Sequence, residues 1–215
     1  MFSHRTFLVS VLAFYFLCPS AMAKMGGGVN FLVSSPQEEF ANVSDLGFGV
    51  SGKFFATPPE ISLFALRIDF AWVSYGSETK KDIHIPGTDL YVDVNTKHES
   101  WQLTIGPQLT APGGPSEFYF SPMLGIYNYS TTEEIEGTEI SEKKWSTTKF
   151  GWNVGGGMTM KIKTLQEKAS PPMVIGIDIG VKYHTVKNII PSEVTDRDRD
   201  ANDLTFHVGL VLTTK

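Results

Sequence analysis

The chain has 215 residues, a formal net charge of −5 and one cysteine. A pI near 5.5 and the lack of a basic stripe exclude a surface built to neutralise nucleic-acid phosphates. Beyond the N-terminus no run of about 18 apolar residues occurs, which excludes a bundle of transmembrane helices; apolar residues recur along the whole chain, which excludes a disordered one.

Residues 1–23 read as a secretory signal. His4 and Arg5 make a short basic start, residues 7–17 (FLVSVLAFYFL) an apolar run, and Pro19 breaks it before the A-x-A site Ala21-Met22-Ala23. Cleavage there leaves residues 24–215 as one domain. It also removes Cys18, so no disulfide or thiolate chemistry remains.

From there on the chain alternates with a period of two, the mark of strands. Eight such windows follow one another: 27–34, 46–56, 62–75, 98–110, 118–129, 147–163, 173–187 and 204–212. The first has the weakest pattern. In the third, Phe64, Leu66, Ile68, Phe70 and Trp72 alternate with Ala65, Arg67, Asp69 and Ala71. In the sixth, Phe150, Trp152, Val154, Met158 and Met160 alternate with Lys149, Gly151, Asn153, Gly155, Gly157 and Thr159. One face is uniformly apolar. The other is rich in Gly, Ser, Thr, Asn and Gln, which suits a confined interior. Apolar outside and small-polar inside is the pattern of a transmembrane β-barrel. The soluble alternative is a secreted sandwich or a lipocalin-like barrel.

The connections alternate as well. Residues 57–60 (TPPE), 111–116 (APGGPS) and 164–172 are the shorter set; 35–45, 76–97, 130–144 and 188–203 are long and polar. Short turns at one end and long loops at the other fit an outer-membrane barrel. Trp72, Trp101 and Trp145 fall beside the long-loop end, as an interfacial girdle requires.

The blocks SPMLGIYNYS (121–130), FGWNVGGGMTMKI (150–162), IGIDIGVKYH (175–184) and LTFHVGLVL (204–212) resemble the small outer-membrane β-barrel superfamily, which includes the OmpA-, OmpX- and OmpW-like barrels. The resemblance covers essentially the whole mature chain. It implies an eight-stranded antiparallel up-and-down transmembrane barrel in the outer membrane of a Gram-negative cell envelope. Such chains usually end in an aromatic residue; this one ends Leu212-Thr213-Thr214-Lys215.

The inward series holds Lys53, Arg67, Asp69, Lys149, Lys161, Asp178 and Lys182. A barrel this small has room for little more than side chains, and opposite charges inside it should pair. The expectation is an ion-paired plug. The alternative is a narrow charged pore or a conduit for hydrophobic compounds. His184 and His207 also face inward, and a symmetric last hairpin would set them opposite each other. Two facing imidazoles could hold a metal, but no third ligand is evident, so no metal or other cofactor is assigned.

No catalytic residue is assigned either. No G-x-S-x-G occurs, and Tyr183-His184-Thr185 lacks the Ser-Asn that follows the histidine in lipid A deacylase-like barrels. Asp196, Asp198 and Asp200 imitate the start of a calcium loop, but Ala201 and His207 stand where Gly and Glu are required. The long loops are acidic, with Glu38, Glu39 and Asp45 in the first and Glu133, Glu134, Glu136, Glu139 and Glu142 in the third. The functional expectation is a structural or surface-contact role for a monomer set in outer-membrane lipid and lipopolysaccharide. A surface ligand would be met by the loops.

Overall fold

The computed structural model describes residues 24–42, 44–58, 63–84, 91–135, 143–165, 172–190 and 199–214. The signal segment 1–23 and the loop positions Glu136, Glu139, Glu142, Asp196 and Asp198 lie outside the described residues. Eight strands follow in order: β1 (Lys24–Gln37), β2 (Gly47–Thr57), β3 (Phe64–His84), β4 (Tyr91–Gly113), β5 (Ser116–Ile135), β6 (Lys143–Leu165), β7 (Met173–Ile190) and β8 (Arg199–Thr214). Each pairs antiparallel with the next, and β1 closes on β8 from Gly26↔Thr213 to Gln37↔Asn202. The result is a closed all-β barrel, in which every strand has a paired neighbour on both sides.

Burial follows the alternation. Val29, Phe31, Val50, Phe70, Phe118, Phe120, Leu124, Phe206, Val208 and Leu210 are exposed on the outer wall. Asn30, Ser51, Arg67, Thr104, Ser121, Asn153 and Asp178 are buried within. An exposed apolar belt of this extent around a polar interior is stable only in an apolar surrounding. Trp72 and Trp101 are cross-strand neighbours on that outer face. We expect Leu124→Arg, in the middle of the belt, to cost about 2–4 kcal/mol of stability in a bilayer. Urea unfolding of the reconstituted protein measures it. A soluble sandwich would tolerate the change with a loss near zero.

Inward glycines make room for large neighbours. A Cβ on Gly157 would stand 2.5 Å from the Tyr119 hydroxyl, and one on Gly180 would stand 2.6 Å from the His207 ring. Each ring lies over the bare backbone of its cross-strand partner, Tyr119 over Gly157 and His207 over Gly180.

The long loops are shorter than the sequence suggests. β3 and β4 stay paired out to His84↔Tyr91, and β5 and β6 out to Glu133↔Lys143. Runs such as Tyr91-Val92-Asp93-Val94 keep the β-branched, alternating character of strand. The outer strands do not rise equally. Pairing of β2 with β3 ends at Phe48↔Ser74, and pairing of β6 with β7 ends at Trp152↔Thr185. Strands β3 to β6 therefore continue past the barrel as a one-sided, four-stranded wing.

One stretch of wall is different. The β4–β5 ladder runs to Ile105↔Leu124 and resumes in the same register at Leu109↔Phe120, with no pairs between. Pro107 and Pro122 occupy the gap, and neither has an N–H to donate.

Candidate functional site

The barrel interior is built from two layers of polar side chains. The central layer begins with Arg67 and Asp69, two residues apart on β3 and so on the same face. The guanidinium forks onto the carboxylate, with Nε donating to Oδ1 at 2.7 Å and Nη2 to Oδ2 at 2.8 Å. Nη1 donates to Gln108 Oε1 on β4 at 3.2 Å and to Ser121 Oγ on β5 at 3.4 Å. Lys182 of β7 completes the group with an ion pair to Asp69 Oδ2.

Asp178 of β7 organises the other half. Its Oδ2 pairs with Lys53 Nζ of β2 at 2.6 Å and accepts from Tyr119 Oη at 3.3 Å, and its Oδ1 accepts from Thr159 at 3.1 Å. His207 Nε2 lies 3.2 Å from Oδ2 and 2.8 Å from Tyr119 Oη. The Tyr119 ring links the halves, with Lys53 Nζ and the Arg67 guanidinium each 5.1 Å from its centroid, within cation–π range. Three cations meet two carboxylates here, all buried; Arg67 and both carboxylates are multiply bonded and each lysine makes one ion pair, so every buried charge has an opposite partner.

The second layer lies toward the wing. Asp203 of β8 accepts from Tyr75 Oη and Tyr129 Oη, each at 3.3 Å, and from Thr205 at 2.9 Å. His184 Nε2 stands 3.9 Å from its Oδ1. Tyr127 Oη lies 3.4 Å from His184 Nδ1 and accepts from Asn153 at 2.8 Å. Above this layer sits an apolar lid. After β1 the backbone turns through Glu38, whose φ of 53° is left-handed, into the 3-10 turn Glu38–Asn42. That reversal drops Phe40 over the lumen. Its ring meets Tyr75 edge-on at 5.2 Å and Tyr129 at 5.3 Å, and Val186, Ile189 and Ala201 close the rest. Glu38 is held by Asn202 at 2.7 Å.

Of the seven charges read as interior, the fold gathers Lys53, Arg67, Asp69, Asp178 and Lys182. Two stand apart. Lys149 is exposed and joins no ion pair among the described residues: β6 has no β7 partner above Trp152, so the inner face there opens to solvent. Lys161 is on the short-turn mouth, 41% exposed in its side chain, and pairs with Glu117 at 3.0 Å. The two histidines are not opposite each other. His184 pairs in register with Asp203, and His207 pairs with Gly180. The β7–β8 ladder is offset by four positions from the register that would oppose them, two of which arise at an irregularity between Val186 and Ile190, so the imidazoles lie in different layers. No group of three or more metal-ligating side chains gathers among the described residues.

Tyr119, Asp203 and Phe40 are among the participants the sequence did not single out, with Tyr75, Tyr129, Gln108 and Ser121. Tyr119 carried a signal, as a large ring in a series of small polar residues. Asp203 and Phe40 sat in stretches read as loop, where nothing distinguished them.

No protein-family model and no curated protein sequence matches the chain. Solved structures do. The attachment invasion locus protein Ail of Yersinia pestis, in complex with the heparin analogue sucrose octasulfate, superposes with a TM-score of 0.53 at 13% identity, covering 88% of this chain and 97% of that one. A second structure of Ail gives 0.51 at the same identity. Neisserial surface protein A gives 0.53 at 12% identity, covering 89% of this chain and 96% of that one. These are small eight-stranded outer-membrane barrels, and this chain has their fold.

Proposed function

We propose that the protein is a non-enzymatic barrel of the outer membrane, closed to ions, that acts as a monomer. Its wing and acidic loops make contacts at the cell surface. The observation that carries this reading is the filled lumen: an ion-paired layer, a tyrosine–aspartate layer and an aromatic lid lie in series. Such an interior suits a rigid anchor better than a pore. Closure of the sheet satisfies the backbone, and the apolar belt matches the lipid around it.

The Ail structure holds a sulfated sugar analogue, which fits a surface-contact role for this architecture. The charge is different here. The first loop carries Glu38, Glu39 and Asp45, and the third carries five glutamates between positions 133 and 142. A cationic surface, or an anionic one bridged by divalent ions, suits them better than a bare polyanion.

Single-channel recording tests the central point. Protein purified from membranes and inserted in a planar bilayer should give no steady openings. Persistent anion-selective current would mean a water path past Lys53, Arg67 and Lys182, and the pore reading would replace this one.

A further inference from the structure

The short-turn mouth of the barrel carries a second cluster of charge that the lumen does not use. Lys24 Nζ donates to both carboxylate oxygens of Glu117, at 2.9 and 2.7 Å. Lys161 shares the same carboxylate at 3.0 Å. Lys163 is exposed and has no partner among the described residues. These four line a cleft of about 480 Å³, together with Ile162, Thr164, Val174, Thr213 and Thr214. One acid therefore meets two lysines, and a third stands beside them, unpaired among the described residues.

The placement of Lys163 comes from a bulge. Lys161 pairs with Gly176, but Lys163 pairs with Ile175, so Ile162 is the extra residue. Strict alternation would send Lys163 inward beside Lys161. The bulge instead gives it the register of Ile175, on the outer wall, as β-bulges re-aim side chains elsewhere. The cleft thus runs from the polar mouth, over the rim, to Ile162, which is 60% exposed on the lipid side.

We propose that this cleft binds the phosphate of an anionic phospholipid headgroup in the leaflet at the short-turn end. The phosphate would sit between Lys163 and Lys161, with the Thr164 and Thr213 hydroxyls as further donors and Ile162 against the acyl chain. A soluble anion would leave Ile162 and the outward turn of Lys163 without a role. The inference rests on the membrane reading above.

The test uses protein purified from membranes and reconstituted in mixed phosphatidylglycerol and phosphatidylcholine, with bound lipid counted by native mass spectrometry. Each lysine near an anionic surface is worth about a fivefold gain. Wild-type protein is expected to retain phosphatidylglycerol over phosphatidylcholine by about tenfold or more, and Lys161→Gln with Lys163→Gln to fall near parity. Lys24 still holds Glu117 in that variant, so the barrel stays folded. Absence of preference in the wild type, or a preference kept by the double variant, overturns the proposal. So does glycerol phosphate competing as well as the intact lipid, which would make the site one for free phosphate. A protein that fails to insert into vesicles at all sinks the membrane reading instead, and this inference with it.

Discussion

Arg67→Ala is expected to lower the unfolding free energy of the reconstituted barrel by about 3–5 kcal/mol, the range for removing one partner from a buried ion pair. Arg67 is fully buried; two of its four side-chain bonds hold Asp69 on the same strand, and the other two tie β3 to Gln108 of β4 and Ser121 of β5. Alanine leaves a void beside Tyr119 and a carboxylate served by Lys182 alone. A second effect comes from position. Gln108 and Ser121 lie within the gap in the β4–β5 ladder, beside Pro107 and Pro122, so Arg67 staples two strands that share no backbone pairing there. Amide exchange near Ile105 and Leu124 should therefore rise more than elsewhere in the wall. Arg67→Lys keeps the charge but loses the fork, and should fall between wild type and alanine. A loss under about 1 kcal/mol for alanine, well below the buried-pair range, would mean the cluster fills space without holding the wall.

Phe40→Ala is expected to cost about 3–5 kcal/mol, as for other large-to-small changes at packed aromatic sites. Phe40 is 2% exposed and rests on two tyrosine rings. The predicted signature is a split between stability and conductance. The single variant should unfold at lower urea yet stay silent in a planar bilayer, because the ion-paired layer below remains. Only Phe40→Ala combined with Arg67→Ala should give openings. Current through the Phe40 variant alone would show that the lid, and not the charge cluster, is the seal.

The barrel was legible because its two signals are local. Alternation assigns each strand, and the contrast between series such as Phe64, Leu66, Ile68 and Gly155, Gly157, Thr159 assigns its faces. Pairing partners are set at long range. The sequence places Lys53, Arg67, Asp69, Asp178 and Lys182 on the inner face, but not which carboxylate meets which cation. The opposed-histidine expectation failed because it assumed a hairpin centred on its loop, whereas the ladder is centred elsewhere and shifts again at an irregularity near Val186. Lys149 was misplaced for a related reason: side-chain direction follows alternation, whereas enclosure depends on how far the neighbouring strand extends. Phe40 was hidden because a short 3-10 turn has too few residues to show a period.

The wing changes what a surface contact would cost. β3 continues about ten residues beyond Ser74, its last residue paired with β2, which at about 3.3 Å per residue carries its tip some 33 Å along the strand. Four mutually paired strands reach the level of Glu78, and β3 and β4 continue beyond it as a paired ribbon to His84↔Tyr91, which makes a stiff arm. A partner meeting the tip of such an arm finds much of its backbone ordered already, so association there forfeits little conformational entropy. The arm rises from one side of the barrel, so whatever it touches is approached from a fixed direction. Affinity at the tip should then respond to the charge and shape of its side chains far more than to the length of the connection between strands.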